Sequence, residues 1–376
     1  MPFLAEPQPF KLLQGVTTEI NGNCGFSVAP LDAARGREAA ATLSGLMGNL
    51  PIEAWSFSEY LNAMAAAGPT NHLATLVGHS TLRMAVNGYE RGLAGDALDQ
   101  MRQLAYRAFA DGAIGLSTGL IYPPGAYGDV DEIVALATVA HHHGRPYATH
   151  MRDEGAGLEQ ALDEAAEIAT RARVRLQISH CKAAGRSNHG KSELLLRKLH
   201  AARITGVDVR GDAYPYLAGG TAMSALVPSE ALENDPALEG LSDPAERGRL
   251  RSIAEDAART TGTGLWRDTV PQAVCIMKHT RSDIVGRTLA DVASDRDPWD
   301  VACELIRTDP SSQIVITMMA EDDVRRILAD PLIGIGSDNG VPTGLEHPRT
   351  WGCFPHFLGR YVRECESWTG RRRFAR

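Results

Sequence analysis

The 376-residue sequence lacks the features that would point to several common classes of protein. Its six cysteines, Cys24, Cys181, Cys275, Cys303, Cys353 and Cys365, stand singly, with no Cys-x-x-Cys pair and no dense framework. That excludes a disulfide-stapled scaffold and suits a reducing cytoplasm. No apolar run reaches the roughly 18 residues a membrane span needs, and no basic-then-apolar signal opens the chain, so no membrane association is expected. Positive charge is not in excess. Lys and Arg number 38 against 46 Asp and Glu, a net charge of −8 with both signs interspersed, which argues against a nucleic-acid partner. Gly219-Gly220 lacks the context of a phosphate-cradling loop, so nucleotide binding is not expected either. No histidine precedes His72.

What is present is apolar and periodic. Hydrophobic residues make up 44% of the chain, enough for a large core, and at this length one α/β barrel competes with two domains. Runs of strand length at 15–20, 73–78, 113–117, 146–150, 175–180, 207–214 and 333–337 alternate with helical patterns. The helices are expected at 31–46, 57–67, 95–111, 131–143, 158–172, 192–205, 299–306 and 322–329. Such alternation predicts parallel βα units. It breaks at 227–268, which reads as an inserted excursion with helix over 244–260, suited to a lid over the strand ends. The expected organisation is one barrel over 1–366 carrying that insertion, then a frayed basic tail at 367–376.

Chemistry concentrates at strand ends. Tyr147-Ala148-Thr149-His150 and Gln177-Ile178-Ser179-His180 each close an apolar run on a histidine and open a polar one. Imidazoles at the C-terminal ends of successive buried strands converge on one centre in a parallel barrel. Cys24 and Asp338 close two further strands. One thiolate and two neutral imidazoles would give zinc a site of net charge about +1 with a position left open, the pattern of a catalytic metal. Such a metal polarises a carbonyl and acidifies water, and an Asp beside it can carry a proton to a leaving nitrogen. Taken singly, each residue has a plainer reading: Cys24 as a small buried hydrophobe, the histidines as backbone-bonded core groups, Asp338 as a turn cap. Together on strand ends they favour a metal hydrolase. His141-His142-His143 falls where a helix ends before Gly144 and reads as structural, since cations suit helix C-termini. His72 and His79 also read as structural, with His79 the nearer to the strand ends. Cys181 should point away from His180 and pack against helices.

The linked motifs resemble a family. Gly15-Val16-Thr17-Thr18 with Gly22-Asn23-Cys24-Gly25, Gly115-Leu116-Ser117-Thr118-Gly119 through Gly125, Ala148-Thr149-His150-Met151-Arg152-Asp153-Glu154 and Ile178-Ser179-His180-Cys181-Lys182 are similar to the N-acyl-D-amino-acid deacylases (D-aminoacylases) of the amidohydrolase superfamily. Asp212-Ala213-Tyr214-Pro215-Tyr216, Gly336-Ser337-Asp338 and His347-Pro348-Arg349 follow in family order. The resemblance runs from about Gly15 to Arg363, with little contribution from 227–268. It implies a (β/α)8 TIM-type barrel that uses zinc to hydrolyse the amide of a small N-acyl-D-amino acid. By position, Cys24, His150 and His180 would hold the zinc and Asp338 would act as general base and acid. Tyr122, Lys182 and Tyr214 would lie around the substrate carboxylate and carbonyl, with Thr221 a looser match. His347 and Arg349 either bind substrate or fix the loop after Asp338.

One departure stands out. Amidohydrolase barrels begin with a strand ending in His-x-His, and no such motif is present. If 15–20 is the second barrel strand, 146–150 is the fifth, 175–180 the sixth and 333–337 the eighth. The expectation is a barrel lacking its first strand and the small β-sandwich of full-length relatives, with an unpaired, aggregation-prone edge. Two other readings stay open: an amidohydrolase acting on a hydantoin, dihydroorotate or dipeptide amide, and an inactive metal-binding remnant. Acyl group, side-chain preference, metal count and oligomeric state are not legible in the sequence.

Overall fold

A computed structural model of the protein describes residues 9–31, 55–233, 235, 237–259, 262–340 and 345–365. Parallel strands lie side by side in chain order. β1 (Thr18–Asn21) pairs with β2 (His72–Thr75), which continues across Leu76 into β3 (Val77–Gly78). The ladder passes from β3 to β4 (Leu116–Gly119), β5 (Tyr147–His150), β6 (Leu176–Ile178), β7 (Val209–Ala213) and then to Ile333–Ile335, the last strand. This is the expected parallel-barrel frame. Its central strands β3 to β6 are buried or nearly so along their length, which is why they read as short continuous apolar runs. β1 and β2 at one side are largely exposed or half-buried. The helix expected over 31–46 and the tail expected over 367–376 lie outside the described residues, Leu31 apart.

Amphipathic helices cover the outside. Leu158–Ala172 shows why they form: Leu158, Ala161, Leu162, Ala165, Ile168, Ala169 and Ala172 recur at three- and four-residue spacing and are all buried. Among the described residues no strand pairs with the outer edge of β1 or with that of the last strand. Residues 9–15 lie beside that last strand instead. Lys11 donates to Ser337 Oγ at 2.5 Å and to Asn339 Oδ1, and Gln14 Nε2 donates to the Thr350 carbonyl at 2.8 Å. No helix among the described residues is long and apolar enough to cross a membrane.

Between β7 and the last parallel strand the chain builds a second sheet. β8 (Ala218–Ala222), β9 (Val274–Lys278) and β10 (Gln313–Thr317) are antiparallel in the order β8-β10-β9, so β11 is Ile333–Ile335. This sheet has its own core, in which Leu226, Leu250, Ile276, Trp299, Ile306 and Ile314 are buried. It rests on the C-terminal ends of the parallel strands. Gly185 N donates to the Met318 carbonyl at 2.9 Å, and Asn188 Nδ2 donates to Asp268 Oδ1 at 3.2 Å.

His79 proves structural. It opens the helix His79–Asn87, and its Nε2 lies 2.5 Å from Glu132 Oε1, while Arg83 Nη1 donates to Glu132 Oε2 at 2.7 Å. Burial would raise the Glu132 carboxyl, but His79 and Arg83 hold it below its ordinary value, and burial pushes His79 down. Glu132→Gln leaves the fully buried Arg83 guanidinium without its carboxylate, and breaking such a pair costs about 3–5 kcal/mol. Urea unfolding at pH 7 should show that loss. A depressed carboxyl stabilises the fold above its unfolded value of 4.5 and ceases to as pH falls through the lower folded value. The gap between parent and variant should therefore narrow with acidification below about pH 4.5.

Candidate metal centre

Three loops leaving the parallel strands bring the site together. The first turn follows β1, and Cys24 occupies it with φ of 54°. The turn fits because its neighbours are small: a Cβ on Gly119 would lie 2.0 Å from the Cys24 carbonyl oxygen. Gly25 has φ of 80°, and its N–H donates to Ser117 Oγ at 3.1 Å, while Ser117 donates to the Gly22 carbonyl. Ser117 on β4 thus fastens the turn from below.

His150 closes β5 and is buried. His180 lies two residues beyond β6, with φ of 38°, so its ring is aimed by a turn rather than by the strand. The backbone there is held by Asp212: Oδ1 accepts from His180 N at 2.8 Å, and Oδ2 accepts from Gln177 Nε2 at 2.6 Å. Asp338 follows β11 with φ of 45°. Cys24, His180 and Asp338 all sit in the left-handed region, which costs a residue bearing a Cβ roughly 1–2 kcal/mol. Such backbone persists only where the surrounding structure holds it, and three instances among converging polar residues point to a functional role for this region.

One ligand atom each from Cys24, His150 and His180 fall within 4.8 Å of one another. Cys24 Sγ is 3.5 Å from His180 Nε2, and the two imidazoles meet edge to face with centroids 4.3 Å apart. Both ring nitrogens of His150 are buried without a hydrogen-bond partner. A buried orphan nitrogen beside a thiol and a second imidazole fits a borderline-soft cation such as zinc. Burial pushes His150 down to about 3, which keeps it neutral and able to ligate. His180 responds oppositely: burial disfavours its charge, but Asp338, Glu154 and Cys24 outweigh burial and hold a proton on it. A field that retains a proton there also attracts a metal cation.

A charged rim surrounds these three. Lys182 Nζ lies 2.6 Å from Glu154 Oε1 and 2.8 Å from His180 Nδ1. Burial opposes both charges of that pair, yet each holds the other ionised. Arg349 Nη1 donates to Asp338 Oδ2 at 2.8 Å, and with His180 and Lys182 it keeps the Asp338 carboxyl low against burial. Tyr214 lies between the two cations, its ring centroid 5.7 Å from Lys182 Nζ and 4.7 Å from the Arg349 guanidinium. Tyr122 packs edge-on to His150 at 4.9 Å, and its hydroxyl meets Thr221 Oγ1 at 3.0 Å, joining a barrel loop to β8. His347 Nε2 reaches the Ala218 carbonyl at 3.0 Å and so braces the same strand. Cys181 is buried away from the cluster, with Sγ 3.6 Å from the Ile178 carbonyl.

All eight residues singled out in the sequence therefore lie in one region. Glu154, Asp212 and Arg349 join them, although the sequence reading assigned no site role to Glu154 or Asp212 and left Arg349 open. Glu154 and Asp212 did stand inside quoted motifs, and each is a carboxylate just beyond a strand or at its end, which is the available signal.

No family model matches the chain. Individual proteins do. The chain is 38% identical over 357 residues to the D-aminoacylase of Alcaligenes xylosoxydans xylosoxydans, covering 94% of this chain and 64% of that protein. It is 34% identical over 365 residues to the N-acyl-D-glutamate deacylase of the same organism, covering 96% of this chain and 65% of that protein. The chain thus spans a little under two thirds of the length of these curated relatives. Among solved structures, the N-acyl-D-glutamate deacylase of Bordetella bronchiseptica, complexed with zinc and a phosphonate mimic of the tetrahedral intermediate, superposes with a TM-score of 0.78. That pair shares 31% identity over 96% of this chain and 67% of the other.

Proposed function

The chain belongs to the N-acyl-D-amino-acid deacylase (D-aminoacylase) family of amidohydrolases, and on that premise we propose that it hydrolyses the amide of small N-acyl-D-amino acids with one zinc held by Cys24, His150 and His180. The observation that carries this reading is the cluster of half-buried Cys24 with buried His150 and His180, all ligand atoms within 4.8 Å, at the C-terminal face of a parallel barrel. Zinc bound there supplies Lewis acidity, polarising the scissile carbonyl and acidifying water.

The chain's own groups do the rest. Asp338, ionised at neutral pH, takes the proton of the attacking water and returns it to the departing amine nitrogen. While paired with Arg349 it is a weak base. A substrate carboxylate that shares Arg349 loosens the pair and raises Asp338 toward the proton affinity the reaction needs. Lys182 and Tyr214 lie beside the same guanidinium and complete a cationic, aromatic seat for that carboxylate. Tyr122, kept protonated by burial and by Cys24, donates from above the cluster, and Thr221 fixes its hydroxyl. Among the described residues the six cysteines form no disulfide, which suits the reducing cytoplasm in which we place the protein.

A panel of N-acyl-D-amino acids, their L-enantiomers and cyclic ureides tests the assignment. Turnover confined to the D-series is the expected result; hydrolysis of the cyclic ureides alone, or turnover unaffected by chelation, would sink it.

A further inference from the structure

On the reading of Arg349 as the group that meets the substrate carboxylate, we propose that His347 is a positioning residue for that seat, fixing Arg349 by tying the chain beside it to the edge of β8. His347 is buried, and both of its ring nitrogens are hydrogen-bonded. Nε2 lies 3.0 Å from the Ala218 carbonyl, which can only accept, so Nε2 carries the ring proton and donates it there. Nδ1 then keeps a lone pair, and the Arg349 N–H donates to it at 3.0 Å. One neutral tautomer satisfies both bonds. Burial, with the Arg349 charge, pushes His347 down to about 4 and so keeps the ring in that form at neutral pH.

The two bonds join elements far apart in the chain. Among the described residues β8 pairs with β10 alone, and its Ala218 and Gly220 carbonyls, two residues apart, lie on one edge. Ala218 takes His347 Nε2, and Gly220 takes Arg349 Nη2 at 3.3 Å. Between them Pro348, with φ of −52°, opens the helix Arg349–His356. The Arg349 N–H is therefore a donor that a helix start leaves without an intrahelical acceptor, and the His347 ring supplies one. Tyr216 meets that ring edge to face at 5.1 Å and restrains it. At the far end of the side chain, the guanidinium is held by Asp338 at 2.8 Å and by the Tyr214 face at 4.7 Å. Once a substrate carboxylate shares the guanidinium and loosens the Asp338 pair, the tie at His347 keeps the seat in register with β8. Order established before binding is not charged against affinity.

The competing explanation is that His347 only caps the helix and stabilises the fold. Steady-state KM and kcat, on the N-acyl-D-amino acid that the parent hydrolyses fastest, separate the two. His347→Ala removes both bonds and should raise KM about 10- to 100-fold while kcat stays within about threefold of the parent. His347→Asn carries the test where alanine costs too much stability, which a thermal melt shows. Its Oδ1 replaces Nδ1 as acceptor for the Arg349 N–H, but its side chain is too short to reach Ala218. That variant should raise KM about 3- to 10-fold, the contribution of one hydrogen bond. Arg349→Lys removes the guanidinium fork and should raise KM by itself, so adding His347→Ala to it should raise KM little further. A loss carried by kcat with KM unchanged, or effects of His347→Ala and Arg349→Lys that multiply independently, would overturn the positioning role. His347→Asn indistinguishable from the parent would overturn the tie to β8. A parent chain that hydrolyses no N-acyl-D-amino acid would overturn the functional reading along with this one, whereas any of the other three results in an active parent overturns this one alone.

Discussion

Asp338→Asn should lower kcat by about 10²–10⁴-fold, the usual contribution of a positioned proton-transfer group, while zinc affinity and melting temperature stay near those of the parent. The substitution suits the site for a specific reason. Asp338 has φ of 45°, and asparagine is the other residue that accepts left-handed backbone with little penalty, so the turn after β11 should keep its shape. What changes is proton affinity: an amide neither accepts a proton from water nor returns one. The loss of the carboxylate would leave the Arg349 guanidinium donating to the neutral Gly220 carbonyl of β8 at 3.3 Å. In the substrate complex the substrate carboxylate would meet that guanidinium, so KM should change far less than kcat. A variant with parental kcat would remove Asp338 from the proton path.

The parallel frame was legible because its central strands, β3 to β6, are buried on both faces or nearly so and read as short apolar runs between helical patterns. Its C-terminal ends were legible too, and with them Cys24, His150, His180 and Asp338. The excursion between β7 and β11 was much less so. β8 is Ala-Gly-Gly-Thr-Ala, a composition with poor strand propensity that is held extended by pairing with β10, some ninety residues later. The strand-like Gln-Ile-Val-Ile-Thr of β10 carries a local signal, but without its antiparallel partners it suggested no second sheet. In the site, what escaped the sequence is what long-range folding creates. Nothing local to Glu154 announces that it meets Lys182 and His180, and Arg349 reveals its role only by reaching Asp338 and Gly220. The left-handed backbone at Cys24 was the least expected feature, since cysteine has no intrinsic preference for it.

That strained cysteine separates structure from chemistry in a second test. Cys24→Ala should reduce zinc affinity by about 10²–10³-fold, because structural zinc affinities of about 10–16 kcal/mol spread over four ligands leave roughly 2.5–4 kcal/mol to each donor. Turnover should fall with it at limiting zinc and recover in part when zinc is raised. Alanine retains a Cβ, so the strain at φ of 54° persists and the turn between Gly22 and Gly25 is unrelieved. Cys24→Gly loses the same donor but removes the left-handed penalty, and the metal-free protein should gain about 1–2 kcal/mol over the alanine variant in urea unfolding. Both variants bind zinc equally weakly if the thiolate is a ligand. If Cys24 is instead only a small buried group, alanine should bind zinc like the parent and glycine should be more stable than either. The strain at Cys24 then has a physical account: a donor-bearing side chain is required at a position where the backbone alone would favour glycine, because only that turn brings sulfur to within 3.5 Å of His180 Nε2.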